Sequence, residues 1–338
     1  MKVSEQHHDA DIILYTMENN SGMKVEVINV GASIIGIHVP DRDGVFGNIA
    51  LQNKTLEEYY GNMHLLGATI APIAGRVKDA EIKVDSGTYP LDKNEGAHAL
   101  HSGELGTQNK IWESEIVEVG DIYKLRFHTK IAGSFPGNPE ISLLYSLSDD
   151  NELKMEYEVD STVATAVAPT NHVYFNLNNN PDQTVSNHIV ESDADKYLKM
   201  DENLIPLSVE QCEGVFDLSE GQRFRDIFSS DDAQIKVANG GFDHYFLLDK
   251  NGHFEVREEN SGRKVSMKSD FPGLIFYTGN NLDDGLPLAN REPKQYMGFC
   301  MEAQRSPAAQ YLDLGFDIVS HCKEKWETIF SFSIEDGE

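Results

Sequence analysis

The chain is short of cysteine, short of positive charge and without a long apolar run, and each shortage closes off a class of protein. Three cysteines in 338 residues, Cys212, Cys300 and Cys322, are few, odd in number and far apart. They exclude a disulfide framework and read as small buried hydrophobes. Lys and Arg total 28 against 56 Asp and Glu, a formal net charge of -28. Such a surface repels phosphate backbones and anionic lipid, so neither nucleic acid nor a membrane is expected as a partner. No stretch approaches the ~18 apolar residues of a membrane span, and the opening MKVSEQHHDADIILY lacks the apolar core of a signal peptide, which together predict a cytoplasmic protein. Also missing are a Walker loop, a dinucleotide glycine fingerprint, a G-x-S-x-G elbow and an HExxH helix.

Helical periodicity is scarce too: no segment longer than about eight residues places apolar side chains three and four apart. What is present is alternation. DIILYTME (11 to 18) and GMKVEVINVGASIIGIHVP (23 to 40) flank an NNSG turn, and from Ile111 onward short alternating runs follow one another at about ten-residue spacing. The run HYFLLDKNGHFEVREE alternates on both sides of Asn251-Gly252, a dipeptide suited to a tight hairpin. Short helical segments are expected only at 56 to 61 and within 218 to 228. With no linker, repeat or low-complexity tract, the reading is all-β: one large antiparallel β-sandwich domain over residues 1 to 338, its core at about 11 to 335.

Three strand-like stretches carry polar residues where core is expected. In APTNHVYFNL (168 to 177) a strand over 171 to 177 would put Asn171, Val173, Phe175 and Leu177 on one face and His172, Tyr174 and Asn176 on the other. In GFDHYFLL, Asp243, Tyr245 and Leu247 oppose Phe242, His244, Phe246 and Leu248. In GFCMEAQ, Cys300, Glu302 and Gln304 oppose Phe299, Met301 and Ala303. With Arg76 and His172 these carboxylates suit a polyhydroxylated ligand, because carboxylates and Arg bind pairs of hydroxyls and aromatic faces stack on sugar carbons. A carboxylate and an imidazole also form an acid and base pair near neutral pH. His98 and His101, in the loop HALHSG, read as loop histidines reaching a polar ligand rather than as metal ligands, and no metal is expected. His64, His128, His188, His253 and His321 read as ordinary surface or core histidines.

Taken in order, these motifs resemble the aldose 1-epimerase, or galactose mutarotase, family over about Ile12 to Ile334. Gly31-Ala32-Ser33 with the turn at 40 to 44 is similar to the family's opening hairpin. Gly67 to Val77 is similar to its arginine segment, and Asn94 to Gly103 to its histidine loop. Thr170 to Leu177 is the most specific match, completed by Gly241 to His244 and Glu302 to Gln304. The resemblance implies a large antiparallel β-sandwich with the site in a concave cleft and no cofactor. It further implies His172 as general acid, Glu302 as general base, and Arg76, His101, Tyr174 and Asp243 holding a free monosaccharide. Departures fall at Pro72, where a second Arg is common, at His98, where Asn is common, and at Ser102, where Gly is common; they touch the loops that choose between sugars.

On this reading Glu302 removes the proton of the anomeric hydroxyl while His172 protonates the ring oxygen. The pyranose opens, rotates about C1–C2 and recloses as the other anomer. Asp243 and Glu302 are expected to favour the imidazolium of His172 and to give a bell-shaped pH profile. The rivals are a non-catalytic sugar-binding module, an enzyme acting on a modified or phosphorylated sugar, and a glycoside hydrolase using Asp243 and Glu302. The expected partner is the monosaccharide itself, and the protein is expected as a monomer or a homodimer.

Overall fold

The structure is a computed structural model that describes residues 2 to 335, except 10, 121, 251, 283 to 287, 290 and 322. Three antiparallel sheets carry most of it. The first is a meander of five strands, Lys2–His7, Ile13–Glu18, Lys24–Ile28, Ser33–Pro40 and Phe46–Asn48, each paired with the next. Its opening strand, Lys2–His7, lies ahead of the expected core and is mostly exposed. The predicted run over 23 to 40 is two strands, because Gly31 turns the chain at φ +64.

The second sheet has nine strands, ordered Glu113–Val119, Ile122–Lys130, Glu140–Leu147, Glu152–Asp160, Glu324–Ile334, Arg263–Ser269, Phe254–Arg257, Ile189–Ser192 and Gln222–Arg223. Alternation decides its burial: Ile141, Leu143, Tyr145 and Leu147 are buried on one strand, and Leu153, Met155, Tyr157 and Val159 on its neighbour. The third sheet orders Pro206–Gln211, Lys196–Met200, Asp243–Leu247, Gly273–Tyr277 and Cys300–Ala303. Its core face meets the nine-stranded sheet through Phe276, whose ring lies 4.9 Å from that of Phe254, and through Phe246, 5.9 Å from the same ring. Both sheets feed one apolar cluster, so its burial couples them.

The hairpin expected at Asn251-Gly252 does not form. Asn251 lies outside the described residues, but Asp243–Leu247 pairs with Lys196–Met200 and Gly273–Tyr277, while Phe254–Arg257 pairs with Ile189–Ser192 and Arg263–Ser269. The chain passes from one sheet to the other at this point. The dipeptide specifies a tight turn, whereas the pairing is decided by partners distant in sequence. Among the described residues helix is confined to single turns, including Glu57–Gly61, Phe224–Phe228 and an unforeseen Ala233–Val237 capped by Asp232. Among the described residues, no helix is long and apolar enough to cross a membrane.

Candidate active site

The third sheet has a second face, and this one is polar. In register, Asp243 stands opposite Tyr277 and Tyr277 opposite Cys300; the next row runs Tyr245, Ile275, Glu302. Because side chains at i and i+2 share a face, both rows point away from the Phe246 and Phe276 side. Apart from Cys300, their side chains floor a cavity of about 230 Å³. Loops close it from above: the arginine segment at Gly75 and Arg76, the histidine loop at His101, and the stretch holding His172 and Tyr174.

The last stretch differs from expectation. Only Thr170–Asn171 is strand, paired with Thr69–Ile70. Beyond it the backbone bonds alternately to separate segments: His172 N–H to the Ala68 carbonyl at 2.8 Å, Phe175 N–H to the Phe299 carbonyl at 2.8 Å, and Asn176 N–H to the Ile49 carbonyl at 2.7 Å. Threading between neighbours rather than lying in a sheet, it still alternates. Val173, Phe175 and Leu177 join the main core, whereas His172 and Tyr174 line the cavity. Asn171 and Asn176 serve the backbone. Asn171 Nδ2 donates to the Gly67 carbonyl at 2.9 Å, and Asn176 Nδ2 donates to the Gln183 and Met297 carbonyls, both at 2.8 Å. Gly67 returns a bond from its N–H to the His172 carbonyl at 3.0 Å. A Cβ there would fall 1.7 Å from the Ile34 carbonyl oxygen, so only glycine permits this support for His172.

All six predicted site residues line this one cavity: Arg76, His101, His172, Tyr174, Asp243 and Glu302. His172 Nε2 lies 3.5 Å from Glu302 Oε1, with His172 5% and Glu302 3% exposed. On the far edge of the imidazole, Nδ1 is 3.4 Å from the Cys300 sulfur. The Tyr174 ring lies 4.9 Å from that of His172, inclined at 36°. Arg76 donates to Asp243 at 3.1 Å and to Glu95 at 3.4 Å. His101 Nδ1 accepts the Gly75 N–H at 3.2 Å, so the neutral ring carries its proton on Nε2, as a donor.

Electrostatics in this closed space run against one expectation. Desolvation disfavours every charge. Burial pushes His172 down to about 4, opposed by a bond to its own backbone and reinforced by His64. Burial likewise drives Glu302 well above its ordinary value; the charge of Asp243 adds to the rise and Arg76 opposes it. The acidic neighbours therefore do not stabilise the imidazolium: burial outweighs them, and the pair tends to imidazole and carboxylic acid. His101 is held well below its usual range by burial, His172 and Arg76. The Cys300 thiol is pushed up by burial, Glu302 and Asp243, and stays protonated. Burial opposes the charge on Arg76, but Asp243 and Glu95 outweigh it and keep the guanidinium charged. Asp243 itself sits above its ordinary value, burial outweighing the pull of Arg76.

Sequence reasoning missed several neighbours. His64 lines the cavity rather than being an ordinary histidine, and Tyr277 enters by register. Cys300 and Gln304 had a signal, their spacing of two from Glu302. Pro72, His98 and Ser102 do not line the cavity. His98 Nδ1 accepts the Asp79 N–H at 2.9 Å, which separates it from His101. His172, Cys300 and Glu302 bring potential metal-binding atoms within 4.8 Å of one another. Sulfur and carboxylate approach opposite nitrogens of the ring, Nδ1 and Nε2.

Comparison with known proteins agrees with this architecture. A family model described as aldose 1-epimerase matches residues 14–333. Galactose mutarotase of Homo sapiens is 33% identical over 299 residues, covering 85% of this chain and 84% of that protein. Aldose 1-epimerase of Escherichia coli K12 is 32% identical over 306 residues, covering 87% and 86%. The crystal structure of galactose 1-epimerase from Lactobacillus acidophilus superposes with a TM-score of 0.87 at 28% identity, over 99% of this chain and 100% of that one. With the fold, the cavity and these matches in agreement, the chain belongs to the aldose 1-epimerase family of isomerases.

Proposed function

We propose that the protein interconverts the α and β anomers of free aldohexoses such as galactose and glucose by acid and base ring opening. The observation that carries this reading is the buried His172 and Glu302 pair, 3.5 Å apart in the wall of a cavity lined by hydroxyl-binding groups. The pair shares one proton, and the reactive form places it on His172. Glu302 then takes the proton of the anomeric hydroxyl as His172 gives its own to the ring oxygen. The C1–O5 bond breaks to the open aldehyde, rotation about C1–C2 presents the other carbonyl face, and the two transfers reverse. Protons balance within the pair. Arg76 and Asp243 hold neighbouring hydroxyls, His101 donates from Nε2, and Tyr174 offers a ring face.

The charge of Arg76 is already matched by Asp243 and Glu95, which disfavours a phosphorylated sugar, since a dianion would need surplus positive charge. Polarimetry of freshly dissolved α-glucose and α-galactose tests the reading, with a glycoside cleavage assay run beside it. Acceleration of mutarotation without cleavage is expected, with a loss of roughly 10²- to 10⁴-fold for His172→Ala or Glu302→Ala. Unchanged rates in both variants would sink the mechanism.

A further inference from the structure

Gln304 continues the strand that carries Glu302 and, two residues on, falls on the same face, at the cavity. Its backbone is fixed on both sides: the N–H donates to the Gly273 carbonyl at 3.1 Å, and the carbonyl accepts the Tyr245 hydroxyl at 2.9 Å. Its side chain is treated differently. The residue is 1% exposed, yet neither Oε1 nor Nε2 has a hydrogen-bond partner among the described residues. A buried amide left in that state is rare, because desolvation removes water without replacing it. Gly75 makes the room: at φ +79 it has no side chain, and a Cβ there would stand 3.1 Å from Gln304 Nε2. Gly75 is the residue whose N–H holds His101, so the amide and the imidazole flank one backbone position at the cavity wall.

Charged groups nearby are already paired: Arg76 with Asp243 and Glu95, and Glu302 with His172. A carboxamide offers one acceptor and two donor hydrogens. A sugar hydroxyl, which both donates and accepts, complements it, whereas an anion or a cation would use only half of it. We propose that Gln304 is a substrate-binding residue whose amide reads a ring hydroxyl of the aldose, using both its oxygen and its nitrogen. This rests on the aldose reading of the cavity and extends it to which hydroxyls are recognised.

The test compares wild type with Gln304→Met, which keeps the length of the side chain and removes its polarity, and with Gln304→Ala. Thermal unfolding is measured without sugar. Mutarotation is followed by polarimetry for glucose, galactose and their 2-, 3-, 4- and 6-deoxy forms. Since the amide makes no bond to any of the described residues, Gln304→Met should unfold at the wild-type temperature or above. It should lose about 10- to 100-fold in kcat/KM for the parent hexose, mainly through KM, as expected for a buried bond to a substrate hydroxyl. One deoxy sugar, lacking the hydroxyl in question, should be turned over almost equally by wild type and variant. Lowered unfolding temperatures in both variants with an unaltered deoxy-sugar pattern would make the amide structural and overturn the inference. So would a variant whose KM matches wild type. Wild-type protein that fails to accelerate either hexose overturns instead the aldose reading on which the inference stands.

Discussion

Asp243 answers to two neighbours at once. It accepts from Arg76 at 3.1 Å, and its charge helps to hold Glu302 above the ordinary carboxylate range, second only to burial. The sign of its removal follows. In Asp243→Asn the repulsion on ionised Glu302 disappears and Arg76, freed of one partner, attracts that carboxylate more strongly, so the pKa of Glu302 falls. The alkaline limb of kcat/KM reports loss of the proton shared by Glu302 and His172 in the free enzyme, so it should move to lower pH. The maximum should fall as well, because a hydroxyl contact is lost; the position of the limb is read independently of that height. Profiles measured for both proteins at one ionic strength decide the matter, and a limb that stays put or moves upward contradicts this account. The acid limb should lie below the ordinary imidazole range, since burial brings His172 to about 4.

Single loops set the distances that those side chains need. Ser102 Oγ accepts the Ile73 N–H at 2.9 Å and donates to the Ile73 carbonyl at 2.8 Å, stapling the histidine loop to the segment that leads into Arg76. The loop follows a left-handed path, with φ +51 at His101, +65 at Ser102 and +56 at Gly103. Ser102→Ala keeps the shape of the residue but strands two buried backbone groups, at a cost of about 1–3 kcal/mol. It should therefore lower the unfolding midpoint in urea and raise KM more than it lowers kcat, because His101 loosens while His172 and Glu302 stand on other elements. A variant with wild-type stability and KM would show that the staple does not position the loop. Nothing in HALHSG reveals this: Ser102 is not in the cavity and acts through a bond to Ile73, 29 residues away. The strand faces, by contrast, were legible, since a period of two needs only near neighbours. That is why Asp243, Tyr245, Glu302 and Gln304 fell on the right side.

At the scale of the whole molecule, what local pattern could not supply was register. Tyr277 reaches the site because Gly273–Tyr277 pairs on one side with Asp243–Leu247 and on the other with Cys300–Ala303, and no short-range signal encodes those partners. The same non-local assembly misled the reading of Asn251-Gly252 as a hairpin. It also encloses groups that would ionise in water, and this has a global consequence for stability. Burial lowers four histidines, His101 and His172 in the cavity, and His188 and His244, each to about 3, in the core. For a histidine lowered on folding, the unfolded chain binds the proton first, so stability is lost as pH falls from about 6.5 toward the folded value. Glu302 and Asp243, both raised, act in the opposite sense and offset part of this. Each uncompensated histidine contributes ~1.4 kcal/mol per pH unit. His244 isolates one such contribution. Its ring packs among Phe216, Phe242 and Tyr197, and its Nε2 has no partner among the described residues. His244→Phe should leave Tm near the wild-type value at pH 7, giving up only a long 3.3 Å bond from the Asp243 N–H. It should also reduce the loss of stability between pH 6 and pH 5 by about the share of one proton. Urea unfolding of both proteins at the two pH values, at fixed ionic strength, measures that difference. Parallel declines would mean that His244 is already protonated in the folded core.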